Sequence, residues 1–279
     1  MITLEGAARD ADTAGEVVQF VKRRVAHQMR PLLSPVPPHR LVDQNTHPTH
    51  ICTPNRAPAT YGWRVASPEE VLRSAWVALG GTSADDTIKL VLARHAEPHR
   101  RYHTATHVMR VLDHVDEILR AESSNALDAP AIRAAALFHD IVYDPRSATN
   151  EHDSAEIAVD ALWQAGWPES RLALVHHMIE ATAGHTGAGL EAAVLLDADL
   201  AILGAEPPVY AEYVDGVRFE FEFVDDDAWR VGRTGVLRSF LDRERIFTTM
   251  TMSASREPQA RENLAAELAA LTVVASDPA

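Results

Sequence analysis

Three apolar stretches of this chain each present histidine or aspartate at one end, and these are the residue types that ligate transition metals. The first carries Arg101-Tyr102-His103-Thr-Ala-Thr-His107, the second His139-Asp140, and the third Asp197-Ala-Asp199-Leu200. His103 and His107 are four apart, so on a helix they share a face one turn apart. His107 also leads the apolar series Val111, Val115, Ile118, which turns it toward an interior. His139-Asp140 follows Ala134-Ala-Ala-Leu-Phe138, and Asp197 and Asp199 follow Ala192-Ala-Val-Leu-Leu196, two runs that read as buried helices. A carboxylate buried there costs several kcal/mol unless a cation compensates it. Imidazole with carboxylate suits Zn, Mn, Fe, Co or Ni better than Ca. With fourteen histidines in 279 residues an isolated His-Asp pair means little. The ordered set, each member ending an apolar run, points to convergence on one divalent transition metal.

The chemistry of such a centre is hydrolytic. A bound metal lowers the pKa of its water toward ~7 and polarises a phosphoryl oxygen. Asp140 has two oxygens and could bridge to a second ion, so one or two ions are expected. His103, a turn from a ligand, is placed to protonate a leaving group. Weaker candidates surround this set. His176, His177 and His185 lie between the His-Asp pair and the last aspartates, with His177 expected near the apolar side of its helix. His177 and His185 are candidates for a second metal or a substrate phosphate. Asn150, Glu151 and Ser154 read as an N-cap cluster, with Asn150 a cap or a substrate contact and Glu151 able to orient a water. Arg101, Arg218 and Arg233 could grip a phosphate through paired N–H donors, and Tyr143 could line the pocket. Lys22 and Lys89 are the only lysines, which argues against a lysine phosphate clamp.

The elements that must position these residues are helices. Ser67-Pro68-Glu69-Glu70 reads as an N-cap, a proline in the first turn and acids beside the positive helix end. That helix runs through Leu79 to Gly80-Gly81, and the next spans Thr82 to about Arg94. Apolar spacing predicts a helix over 106–119. Asp128-Ala-Pro130 opens another through Phe138, Asn150 opens one ending at Gly166, and Pro168 starts one ending near Gly184. Further helices are expected at 188–197, 207–223, 226–245 and 256–275. No hairpin signal or alternating run is present, so the expected fold is all-α, a bundle of roughly eight to ten helices over 68–279. Residues 1–67 differ. Seven prolines fall between Pro31 and Pro58, and this density blocks helix and central strand alike, so a flexible or irregular N-terminal extension is expected. His47 and His50 within it read as solvated rather than as ligands.

Composition narrows the classes. Hydrophobic residues at 46% support a sizeable core, and the single cysteine, Cys52, rules out an intrachain disulfide or a thiolate cluster. The net charge of −14 divides into +3 over residues 1–67 and −17 over 68–279. A body this acidic repels a phosphate backbone, so no nucleic-acid partner is expected. An anionic substrate would need a local cation to offset that field. No segment is long and apolar enough for a membrane span, and the first twenty residues lack the apolar core of a signal peptide, so a cytoplasmic location is expected. Oligomeric state is open, although the acidic helices at 207–245 offer a possible dimer face.

These motifs together resemble the HD-domain superfamily of metal-dependent phosphohydrolases, whose pattern is H…HD…D on an all-helical fold. The closest likeness is to the small bacterial group described as predicted metal-dependent HD phosphohydrolases. It rests on RYHTATHV (101–108), LFHDIVYDP (137–145), NEHDSA (150–155), IEATAGH (179–185) and DADLAILG (197–204), and covers about residues 68–250. The resemblance implies His107, His139, Asp140 and Asp199 as metal ligands, with Asp199 preferred over Asp197 from its Ala-Asp-Leu context. Tyr102-His103-x-x-x-His107 also resembles the YHNxxH segment of cyclic-nucleotide phosphodiesterases, with Thr104 in place of the asparagine. That likeness implies His103 as general acid beside the ligand His107. The implied activity is hydrolysis of a phosphate ester or phosphoanhydride on a small, nucleotide-like phosphorylated substrate. Some HD proteins instead hold an iron pair and cleave with oxygen, using extra histidines before the last aspartate; His176, His177 and His185 leave that reading open. A third reading is a catalytically silent metal-binding regulatory module.

Overall fold

The computed structural model describes residues 66–122, 126–185 and 189–273. The expected N-terminal extension, with His47, His50 and Cys52, therefore lies outside the described residues but for its last two. The described residues form ten α-helices and one 3-10 turn, with no strand. In chain order these are α1 (Pro68–Ala78), α2 (Asp86–Arg94), α3 (Ala105–Glu122), α4 (Ala129–Phe138), α5 (Asn150–Gln164), α6 (Glu169–Thr182) and α7 (Leu190–Leu200). The 3-10 turn Ala201–Gly204 follows, then α8 (Pro207–Glu220), α9 (Asp226–Leu241) and α10 (Met250–Val273). The all-α bundle read from the sequence is the observed architecture, and among the described residues no helix is long and apolar enough to cross a membrane.

Local chemistry explains the starts. Ser67 Oγ accepts the Glu70 N–H and the Glu70 carboxylate accepts the Ser67 N–H, a capping box at α1. Asp128 caps α4 at the Ala131 N–H (3.1 Å). Helix α4 is the centre of the bundle and packs against α1, α3, α5, α6 and α7. Its small side chains Ala131, Ala134, Ala135 and Ala136 are buried and let those helices close in, while Ile132, Leu137 and Phe138 fill the gaps between them. An end of α4 is thus held from several sides, and the His-Asp pair sits at that end.

Helix α2 starts at Asp86 rather than Thr82, α9 ends at Leu241 rather than 245, and the start of α10 departs for a tertiary reason. Helix α10 begins at Met250, ahead of 256. The carboxylate of Asp197, from α7, accepts the N–H groups of Thr248 and Thr249 and the Thr249 hydroxyl just before the helix starts. A cap donated across the fold leaves no mark in the neighbouring sequence. Helix α3 begins at Ala105, beside the expected 106, so His103 precedes it and is not helical.

Candidate metal centre

Four side chains converge where α3, α4 and α7 meet. His107 lies in the first turn of α3, His139 is the C-terminal cap of α4, Asp140 follows it, and Asp199 is in the last turn of α7. His107 Nε2 is 3.1 Å from His139 Nε2, 3.3 Å from Asp140 Oδ2 and 3.3 Å from Asp199 Oδ1. His139 Nε2 is 3.2 Å from Asp140 Oδ2 and 3.6 Å from Asp199 Oδ1. Ligand atoms held ~2.1 Å from a common cation are separated by about 3.0 Å in an octahedron and about 3.4 Å in a tetrahedron. The observed separations of 3.1–3.6 Å lie just above the octahedral edge and on either side of the tetrahedral one, and the donors of His107, His139 and Asp140 are close enough together to share an ion. The tautomer fits as well. His139 Nδ1–H donates to the Ala136 carbonyl at 3.0 Å, which turns its Nε2 lone pair to the cluster.

The four groups form a buried cluster of opposed charges. Burial disfavours charge on all four groups. The opposed signs override it, holding His107 above and His139 well above the usual imidazole range, and Asp140 and Asp199 well below the usual carboxylate range. A divalent cation would take the place of the imidazolium protons.

His103 stands beside the centre, its ring 5.5 Å from that of His107. What holds it is Glu220, at the end of α8. One Glu220 oxygen accepts the N–H groups of Arg101 (2.7 Å), Tyr102 (2.7 Å) and His103 (2.9 Å). The other lies 2.7 Å from His103 Nδ1 and accepts the Tyr143 hydroxyl at 3.0 Å. Three successive N–H groups wrapped around one carboxylate explain why this segment bends instead of continuing α3 toward its N-terminus. Gly216 makes the approach possible: a Cβ there would sit 3.1 Å from Tyr102 Cβ. Burial pushes the Glu220 carboxyl up, but the charge of His103 and the N–H donors outweigh it and hold the group at about 2. It is a carboxylate at any physiological pH, so His103 keeps its proton on Nδ1 and presents Nε2 away from Glu220. Tyr143 stacks on the His103 ring at 4.1 Å.

The other expected residues divide. Asp197 is buried and engaged by Thr248 and Thr249, so it serves the start of α10 while Asp199 faces the cluster. Asn150 does not cap α5; Thr149 is at that position, and the buried Asn150 amide exchanges hydrogen bonds with the Asp144 N–H (3.0 Å) and carbonyl (2.8 Å). Ser154 does the same for Val142, so both residues stitch the loop after the His-Asp pair. Glu151 lines the cavity over the centre. His185 also lines it, with Nε2 3.1 Å from Asp199 Oδ2. It is the only non-glycine among the described residues with positive φ (46°), and its buried Nδ1 has no hydrogen-bond partner.

His177, expected near the apolar side of its helix, is instead exposed on α6 and does not reach the centre. His176 pairs with Glu156 at 3.1 Å on the outer face of α5 and α6, beside His152 and Glu180. The Arg101 side chain is exposed, and only its backbone N–H joins the site. Arg218 is spent on the turn after α8, donating to the carbonyls of Phe221 and Val224 and to Asp226. Besides Glu220, the residue that sequence reasoning missed is Arg100. Its buried guanidinium donates to the carbonyls of His103, Asp140 and Ile141 and so ties the His103 bend to the His-Asp corner. Nothing in the run Glu97-Pro-His-Arg100 marks it.

Comparison with protein-family models, with curated proteins and with solved structures gives no match to this chain. The site's own geometry therefore carries the functional argument.

Proposed function

We propose that this chain is a metal-dependent phosphohydrolase of the HD type. The observation that carries the reading is the single cluster of His107 Nε2, His139 Nε2, Asp140 Oδ2 and Asp199 Oδ1, with adjacent separations of 3.1–3.6 Å, on a cavity that His103 also lines. A divalent ion of Mn, Zn, Ni, Co or Fe on these four residues would supply Lewis acidity toward a phosphoryl oxygen and activate water. The chain's own residues do the rest. Glu220 and Tyr143 fix the His103 ring, and in its imidazolium form, paired with the Glu220 carboxylate, the Nε2–H delivers a proton to the departing ester oxygen as the P–O bond breaks. Asp140 and Asp199 are shared between ion binding and the cavity wall; the second oxygen of Asp140 orients the attacking water, while that of Asp199 is held by His185 Nε2. Arg100 holds the backbone of both halves in register.

The oxygen-dependent alternative draws on three histidines before Asp199. His176 and His177 face outward and only His185 reaches the site, which favours the hydrolase. The test is to purify the protein without chelator and quantify metals by mass spectrometry beside the His139→Ala/Asp140→Ala double variant, then assay phosphate release from esters. Stoichiometric Mn, Zn, Ni or Co lost in the variant, with phosphate released, supports the reading. Two irons with oxygen consumption would replace it, and no metal after supplementation would end it. Metal retention without turnover of any substrate would favour the silent regulatory module.

A further inference from the structure

The cavity over the metal centre is a cleft of about 230 Å³ open to solvent on one side, below the ~300–1,000 Å³ of sites for drug-sized ligands. Its floor is Asp140, Asp199 and His103, and the remainder of its wall is largely aromatic and aliphatic, with Val217, Phe221, Trp229, Val236 and Phe240. We propose that the substrate is a phosphate monoester whose organic half is apolar and about the size of one or two fused rings, and that di- and triphosphates and sugar phosphates are discriminated against. The inference rests on the phosphohydrolase reading above and narrows the nucleotide-like expectation.

Charge carries the first half. The one arginine in the lining, Arg233, is 7% exposed and already neutralised: Nε and Nη2 reach the two Glu267 oxygens at 2.7 and 3.0 Å, and Nη1 donates to the Tyr213 hydroxyl. No lysine lines the cavity, whereas Glu151 joins Asp140 and Asp199 there. One phosphate can be met at the metal centre; a second would face carboxylates with no cation to offset it. Arg110 and Arg256 line a different cavity, separated from this one by Tyr102, Asp199 and Ile202, which border both. A ligand among the aromatic residues meets those cations only through that wall.

Polarity carries the second half. The Thr182 hydroxyl donates to the Ile179 carbonyl at 2.7 Å, and the Tyr213 hydroxyl is engaged by Arg233. A sugar ring would bury several hydroxyls against aliphatic and aromatic carbon, and each left unpaired is unfavourable. An apolar ring loses nothing there and gains contact with Trp229, which is itself braced by Phe221 at 5.8 Å and by the Arg218 guanidinium at 5.3 Å. In the reaction a water oxygen bonds to phosphorus, the ester P–O bond breaks, and the organic alcohol leaves with a proton from His103; one proton of the attacking water stays on the inorganic phosphate and the other restores His103.

The experiment uses the full, metal-loaded chain. The ratio kcat/KM is measured on 1-naphthyl phosphate, glycerol 3-phosphate and ADP, and binding of 1-naphthylmethylphosphonate is followed by calorimetry. Naphthyl phosphate should be preferred over both others by at least ~10-fold. Trp229→Ala should raise its KM and weaken phosphonate binding by at least ~10-fold, with Trp229→Phe restoring most of both. Arg110→Gln/Arg256→Gln should change neither. ADP or glycerol phosphate used as well as the naphthyl ester, or equal phosphonate binding in Trp229→Ala, would overturn the inference and leave the hydrolase reading standing. Phosphonate binding that depends on Trp229 with no phosphate released from any ester would instead sink the hydrolase reading while keeping the apolar pocket.

Discussion

Glu220 stands 117 positions along the chain from His103, yet its carboxylate lies 2.7 Å from His103 Nδ1 and also takes the N–H groups of three consecutive residues, Arg101 to His103. One side chain thus sets the backbone of the segment before α3 and the orientation of the imidazole it carries. The remote end of α8 is as much a part of the candidate site as the four clustered side chains themselves.

Removing that carboxylate should therefore damage folding and turnover together. Glu220→Ala leaves buried N–H groups and the Tyr143 hydroxyl without an acceptor and is expected to cost about 3–5 kcal/mol in chemical denaturation. Glu220→Gln keeps the shape and one acceptor oxygen, so it should cost less than the alanine variant, on the order of 3 kcal/mol at neutral pH, while still lowering kcat because the His103 ring loses its fixed tautomer. Equal kcat in wild type and Glu220→Gln would show that His103 needs no such positioning.

The same carboxylate sets a pH window. Its folded value of about 2 lies below the ordinary 4.5. The stabilisation is fully present above pH 4.5 and is lost as pH falls from there toward 2. The shift corresponds to on the order of 3 kcal/mol. Denaturation of wild type and Glu220→Gln at stepped pH should show their difference shrinking across that window and constant above it. A difference independent of pH from 6 to 3 would mean the carboxylate is not specially stabilised.

The two aspartates of the Asp-Ala-Asp segment should separate cleanly. Asp199→Asn should abolish stoichiometric metal. Asp197→Asn should keep the metal and lose about 1–3 kcal/mol, because the buried acceptor for the Thr248 and Thr249 donors is weakened. Metal analysis and denaturation of the two variants side by side decide it, and loss of metal in Asp197→Asn would reverse the assignment.

Those two aspartates also mark what could be read in advance. Their position after an apolar run was visible, as were α4, the helix starts at Ser67 and Asp128 and the convergence of His107, His139 and Asp140, because each is written in local periodicity and residue type. Which aspartate turns inward depends on where Thr248 and Thr249 arrive, fifty residues later. Glu220 and Arg100 were equally hidden, since a carboxylate ending an acidic helix and an arginine among charged neighbours look like solvated surface until the fold buries them. His177 failed for the opposite reason: a helix with apolar residues on much of its circumference does not say which histidine faces out.

Metal counts need one further control. His152, Glu156, His176 and Glu180 form an exposed pair of His–Glu contacts on α5 and α6, and three of them present donors close enough to share an ion. His152→Ala/His176→Ala should leave the most tightly held metal and all turnover in place. Loss of that metal in this variant would move the centre to the protein surface.

His185 offers a test in which stability and function diverge. Its φ of 46° lies in the left-handed region, where glycine is unstrained and a side chain is not. Its imidazole is turned toward Asp199 at 3.1 Å with Nδ1 buried and unpartnered. Local strain kept at such a position is characteristic of a group in use. His185→Gly should relieve the backbone, and because the added freedom of the unfolded chain offsets that gain, stability should change by less than about 1 kcal/mol. His185→Ala retains the strain and should be the less stable of the two. Both variants should lose turnover to a similar degree, because both lack the imidazole beside Asp199. Full activity in His185→Gly would assign the residue to the turn alone; low activity in a protein as stable as wild type would assign it to the chemistry of the centre.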